Sequence, residues 1–252
     1  MARAAAAHRG LPYRRIAPIP TIEWSPNIAY AVGLIATDGC LYRDGRHIAF
    51  VSKDEEQIRT FLRCIERPHL RYRLSESSTG GWTYRVQVSH VVLYRWLLSV
   101  GLMSRKSLVL GAIDVPAEHL WSLVRGLLDG DGTIYTRVHL PTKLRYPGYR
   151  YERLSTSFLS ASRAHIEWLH GRLRVALEID GHVEIRRREG RTTMFRLKYG
   201  NRASIVLLNR LYPNEPHPRL TRKWKKWDRY LSRHPQCRRG DLNPQALAGG
   251  SP

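Results

Sequence analysis

Ala31-Val32-Gly33-Leu34-Ile35-Ala36-Thr37-Asp38-Gly39 and Val124-Arg125-Gly126-Leu127-Leu128-Asp129-Gly130-Asp131-Gly132 are two versions of one segment. Each is an apolar helical run that stops at Asp-Gly and is followed by residues of strand character. Small residues recur four apart, at Ala29, Gly33 and Thr37 and again at Ser122, Gly126 and Gly130. Such a stripe lets two helix backbones approach closely. Glycine inside a helix costs about 1 kcal/mol relative to alanine, so matched glycines at 33 and 126 call for a reason, and close pairing supplies one. Asp38 and Asp131 break a second rule, because an acid at a helix C-terminus faces the negative end of the dipole. Two such ends side by side make an oxygen-rich site that a hard divalent cation would neutralise. A lone Asp-Gly after a helix is as readily a plain turn. The doubling in matched surroundings tells against that reading.

The surroundings repeat as well. Working outward, Ser25-Pro26 reads as an N-cap and first helical residue. After Asp38 come a strand from Leu41, an Asp44-Gly45 turn and a strand over 46–52. A helix over 55–66, strands over 70–75 and 82–89 and a helix over 91–100 complete an αββαββα unit. Residues 117–131, 133–138, 150–159, 162–177, 182–188, 192–199 and 202–211 give the same order. Asp38 aligns with Asp131, Phe50-Val51-Ser52 with Phe158-Leu159-Ser160, and Tyr84-Arg85-Val86-Gln87 with Phe195-Arg196-Leu197-Lys198. The offset grows through 93, 108 and 111, and the largest step falls at the 139–150 loop, as in a duplicated unit with insertions. The expected fold is α+β, with two pseudo-symmetric repeats at 25–103 and 116–212 joined by a linker at 104–115. A mobile basic arm at 1–24, a basic helix within 213–231 and a disordered tail at 232–252 flank them. In the last helix, Trp224, Trp227 and Leu231 read as core contacts.

The 252-residue chain carries 42 Lys+Arg against 21 Asp+Glu, a formal charge of +21. That balance favours a polyanionic partner, nucleic acid before an anionic membrane surface. Three widely spaced cysteines, Cys40, Cys64 and Cys237, offer neither a disulfide framework nor zinc-ligand spacing. A reducing intracellular compartment fits, and neither a secretory segment nor a membrane span is read.

Residues two apart on a strand share a face. Leu41 and Ile134 should face the core, leaving Cys40, Tyr42, Thr133, Tyr135 and Arg137 on the other side. Arg71 with Arg73, Arg85 with Gln87, His182, Glu184, Arg186 and Arg188 together, and Arg196 with Lys198 share faces in the same way. With Arg46 of the first turn they describe a saddle that is basic, poor in acids and shaped to lie along double-stranded DNA. The faces of the strands at Ala49 and Ser155 stay open.

The paired segments resemble the motifs of the LAGLIDADG homing endonucleases in their single-chain, two-motif form. Gly33 to Gly39 and Arg125 to Gly132 carry the likeness, supported by Arg105-Lys106-Ser107 and Arg222-Lys223-Trp224 after the two repeats. The resemblance spans about residues 25–231. It implies a site-specific, metal-dependent DNA endonuclease that cuts both strands across a minor groove and leaves 3′ overhangs. It implies that Asp38 and Asp131, with the carbonyls of Thr37 and Gly130, bind Mg²⁺ or another divalent cation such as Mn²⁺. It also implies a catalytic lysine near each site. Lys198 matches that position in the second repeat, and Gln87 is its counterpart in the first, so unequal nicking of the two strands is expected. Ala36 departs from the motif at a position that is structural in the family. The implied partner is a long, near-asymmetric DNA target met by a monomer.

Two rivals stay open: an intron RNA maturase, or a DNA-binding regulator that keeps the fold without cutting. Gly240-Asp-Leu-Asn-Pro244 resembles a reading frame run antisense through a tRNA T-arm, so the tail from 236 is expected to be dispensable.

Overall fold

The computed structural model describes residues 22–77, 80–139 and 151–238. The expectations for the arm before residue 22, the 140–150 loop and the tail after 238 lie outside them. Helix α1 (Pro26–Asp38) starts where Ser25 Oγ accepts from the Ile28 amide at 3.2 Å. It ends where the Gly39 amide returns to the Ile35 carbonyl. Strands β1 (Gly39–Leu41) and β2 (His47–Ser52), helix α2 (Glu55–Cys64), strands β3 (Arg73–Glu76) and β4 (Trp82–Ser89) and helix α3 (Val91–Ser99) complete the first unit. The second contains α4 (Leu120–Asp129), β5 (Thr133–His139), β6 (Tyr151–Ser160), α5 (Arg163–Leu177), β7 (His182–Arg186), β8 (Met194–Tyr199) and α6 (Asn201–Leu211). Helix α7 (Thr221–Arg233) follows.

The duplication is borne out in the sheets. Each is four-stranded and antiparallel, in the orders β1-β2-β4-β3 and β5-β6-β8-β7. One face of each carries the core, with Leu41, Ile48, Phe50, Val86 and Val88 buried in the first sheet and Ile134, Leu154, Phe158 and Leu197 in the second. Helices α2 and α3 pack against the first sheet, α5 and α6 against the second. The opposite faces carry the polar members of each alternation. The open question at β2 is settled by register: Ile48 and Phe50 face the core, and Ala49 lies between Cys40 and Gln87 on the other face.

Between the sheets α1 lies against α4, glycine to glycine. A Cβ on Gly33 would stand 2.3 Å from the Leu123 carbonyl oxygen and 2.8 Å from Gly126 Cα. One on Gly126 would stand 2.3 Å from the Tyr30 carbonyl oxygen. The stripe therefore does what its spacing predicts, and Thr37 meets Gly130 at its end.

Several boundaries differ from the sequence reading. A 3-10 turn at Ala117–His119 precedes α4, which stops at Asp129 because Gly130 turns off the helix at ψ −102°. Asp131 thus lies two residues past its helix, whereas Asp38 is the last residue of α1. Strand β3 begins at Arg73 and β7 ends at Arg186, so Arg71 and Arg188 are off the strands and the expected face-sharing fails for both. At the C-terminus order continues past 231: α7 runs to Arg233, a 3-10 turn covers Pro235–Arg238, and Cys237 is buried with its carbonyl accepting from Asn209 Nδ2 at 2.8 Å. The described structure thus runs past the tail boundary expected at 232. Trp227 is fully buried and Trp224 packs against the core, as read from sequence.

Candidate functional site

The ends of α1 and α4 bring Asp38 and Asp131 close enough for their charges to interact, and Asp131 opens to a groove on the second sheet. Both residues are exposed, and neither forms a salt bridge among the described residues. Loss of hydration among the packed neighbours pushes the Asp38 carboxyl up to about 6, and the charge of Asp131 adds to it. Lys223, the Thr37 hydroxyl and Lys106 pull the other way. Asp131 is raised by the same loss of hydration, opposed by Lys223 and Lys106. Two acids side by side and poor in water both hold their protons more tightly than free carboxyls.

Two buried lysines stand behind them. Lys223 Nζ donates to the carbonyls of Leu128 (2.6 Å), Asp129 (2.9 Å), Gly130 (2.7 Å) and Gly132 (2.7 Å). Lys106 Nζ donates to the Gly39 carbonyl, the counterpart of Gly132. Each ammonium therefore caps the carbonyl end of its motif helix, where the dipole favours a cation. Burial lowers Lys223 to about 8 and lowers Lys106 too. Lys106 is delivered by Arg105, which takes a left-handed backbone at φ 55°. Sequence reasoning gave these lysines no site role; the signal was the basic triplet recurring after each repeat.

The second motif is braced by Asp129, the residue Ala36 replaces in the first. Its buried carboxylate accepts from Tyr30 Oη (2.8 Å), Tyr212 Oη (3.2 Å) and the Leu220 amide (2.8 Å). Its carbonyl also accepts from Gln57 Nε2 at 2.9 Å, tying α2 of the first unit to the second motif. Of the carbonyls expected to bind metal, that of Gly130 is thus already engaged by Lys223. Thr37 Oγ1 lies against the Gly33 and Leu34 carbonyls and 3.4 Å from Asp38 Oδ2.

Beneath Asp131 runs a groove of about 890 Å³ whose lining includes Tyr135, Ser157, Arg186, Arg188, Arg196 and Lys198. Six of the residues singled out from sequence, Asp131 among them, therefore converge on one concavity. Its charge is less free than the sequence implied. Glu184 takes Arg196 in a close pair and lies 3.7 Å from Lys198 and 3.8 Å from Arg186. The expectation of a face poor in acids holds by count and fails at this centre. In the first sheet Tyr42 accepts from Arg85, which is paired in register with Arg73. Arg46 sits on the turn that Asp44 closes. Arg137 is exposed on β5 but does not line the groove. Gln87 pairs with Ala49 and Lys198 with Ser157, so they hold equivalent register positions.

No protein-family model and no curated protein sequence matches the chain. Solved structures do. The I-LtrWI LAGLIDADG homing endonuclease bound to target DNA superposes with a TM-score of 0.54 at 10% identity, over 84% of this chain and 91% of that one. I-WcaI bound to its DNA recognition sequence gives 0.52 at 13%, over 81% and 88%. Full-length DUF199/WhiA from Thermatoga maritima gives 0.50 at 15%, over 91% of this chain but only 66% of that one. Duplicated αββαββα units, a glycine seam between two motif helices and an acid at the end of each place the chain in the LAGLIDADG homing-endonuclease fold.

Proposed function

We propose that the protein binds a long double-stranded DNA site on its two sheet faces and hydrolyses one phosphodiester on each strand near Asp38 and Asp131. The observation that carries this reading is the pair of carboxylates at the ends of the two motif segments, neither in a salt bridge among the described residues, with Asp131 over a groove lined by arginine. The donor set suits a hard cation: oxygen ligands only, held close by a backbone seam, with both carboxyls raised by loss of hydration. A divalent ion there would supply a Lewis acid and ease deprotonation of an attacking water. Asp38 and Asp131 would hold it. Arg186, Arg188 and Arg73 would position backbone phosphates. Lys198 is placed to offset charge in the second half-site; Gln87, at its counterpart, carries none, so the second half-site is expected to cut faster.

A second reading, a DNA-binding protein that does not cut, draws support from Lys223 holding the Gly130 carbonyl that a metal would use. Selection of bound duplexes from a randomised library, followed by Mg²⁺ addition, separates the two. The nuclease reading expects cleavage by wild type, with a nicked intermediate, and binding without cleavage by Asp38→Asn and Asp131→Asn. Wild-type binding without cleavage in Mg²⁺ and Mn²⁺ would decide for the binder.

A further inference from the structure

Away from the motif acids, a cleft of about 250 Å³ opens between α2 and the segment leading into α7. Its walls bring Thr60 and Arg63 from α2 together with His217, Arg219 and Thr221. Three observations make it more than a surface dent. First, neither Arg63 nor Arg219 forms a salt bridge among the described residues. Arg63 reaches only Thr60 Oγ1, at 3.1 Å, and Arg219 lies flat over the Trp224 ring at 4.0 Å. Second, the acid on the wall, Glu56, is committed to Thr221, accepting from both its amide and its hydroxyl. Third, His217 Nε2 is buried with no hydrogen-bond partner, while Nδ1 faces the Glu215 carbonyl at 2.6 Å. That carbonyl can only accept, so Nδ1 carries the proton and Nε2 presents a lone pair. A buried polar atom without a partner calls for a ligand or a proton.

We propose that this cleft is a site for a small oxyanion of the phosphate class, held by Arg63 and Arg219 and sharing a proton with His217 Nε2. Two guanidinium forks with no carboxylate of their own suit a phosphate's oxygens. The shared proton is taken up from solvent, as imidazolium forms when the anion arrives. Around His217 stand Arg219, Arg125 from α4 and the Tyr212 ring, with Arg63 and Glu56 lining the same cleft. Burial and the nearby Arg125 and Arg219 hold the imidazole down to about 4 in the free protein. A bound anion reverses the sign of that surrounding and raises it. The site joins α2 of the first unit to the strap that carries Lys223, so occupancy would brace the two halves. It is independent of DNA cleavage, which is not used as a readout.

The test is titration of the full chain with inorganic phosphate at constant ionic strength, following the His217 ring by NMR and affinity by calorimetry. A chain this basic binds phosphate elsewhere, so the local signal and the variants decide. The expected result is a saturating shift of the His217 ring, an apparent His217 pKa that rises with phosphate, and a loss of at least about tenfold in affinity in Arg63→Gln, the weight of one charge-assisted bond. His217→Gln should abolish the proton uptake that accompanies binding while remaining folded by circular dichroism. A nucleoside monophosphate in the same titration separates the sources: affinity equal to phosphate assigns the site to the free ion, and a tighter fit assigns it to a nucleotide. Phosphate that stabilises wild type and Arg63→Gln alike, leaves His217 unmoved, or binds with no proton uptake would overturn the proposal.

Discussion

Asp38 and Asp131 are costly to the fold that holds them. A carboxyl whose folded pKa is raised, here from 3.8 to about 6 for Asp38, binds its proton more tightly in the native than in the unfolded chain. Its ionised form therefore destabilises the protein above pH 6, and the penalty fades as pH falls through 6 toward 4. In metal-free buffer at pH 8, Asp38→Asn and Asp131→Asn should each unfold at a higher temperature than wild type, and the gain should shrink by pH 5. Added Mg²⁺ should raise the wild-type midpoint and leave the double variant unmoved. Variants no more stable than wild type at pH 8 would mean that these acids are better solvated than their packing implies. The lysines behind them differ in weight. Lys223→Met leaves four carbonyls at one helix end without a donor and should cost about 3 kcal/mol or more, whereas Lys106→Met, with one carbonyl, should cost about 1–2 kcal/mol. Chemical denaturation reads both; equal losses would deny the asymmetry between the two ends.

Among the elements, α1 and α4 matter most because nothing but hydrogen separates their backbones at Gly33 and Gly126. Gly33→Ala drives a methyl into the Leu123 carbonyl, a contact neither side can relieve by rotating a side chain. A loss of about 2–3 kcal/mol is expected, the upper range for overpacking, against a gain of nearly 1 from helix propensity. An unchanged denaturation midpoint would show that the seam yields. This seam and the repeat of four-stranded sheets could be read from sequence, because spacing of small residues and alternation along strands are local patterns. The lysines could not. Burying an ammonium is favourable only where carbonyls meet it, and these lie 67 residues away for Lys106 and 91 to 95 residues away for Lys223. Glu184 was misjudged for a similar reason: on its own strand it looked like one acid among arginines, and its partners Arg196 and Lys198 come from the neighbouring strand. Asp129 is hidden from a local reading in the same way, because its three donors come from α1, from just after α6 and from just before α7.

For the whole molecule, the two units are alike in topology and unlike in bracing. The second motif is held by α7 through Lys223, by Asp129 and by Gln57 reaching across from the first unit. The first motif has Ala36 where that carboxylate would be and a single lysine contact behind it. The duplication has thus drifted so that one half carries most of the polar scaffolding for both.

The glycine seam has a consequence for how freely the two sheet faces can vary. The separation of Asp38 from Asp131 is set by main chain resting on main chain, like the jaws of a fixed gauge, and each sheet hangs from its own side of the gauge. Side chains on either sheet can be exchanged without altering the spacing between the two carboxylates. Reading and measuring are thereby separate parts of the molecule, and only the first is free to vary.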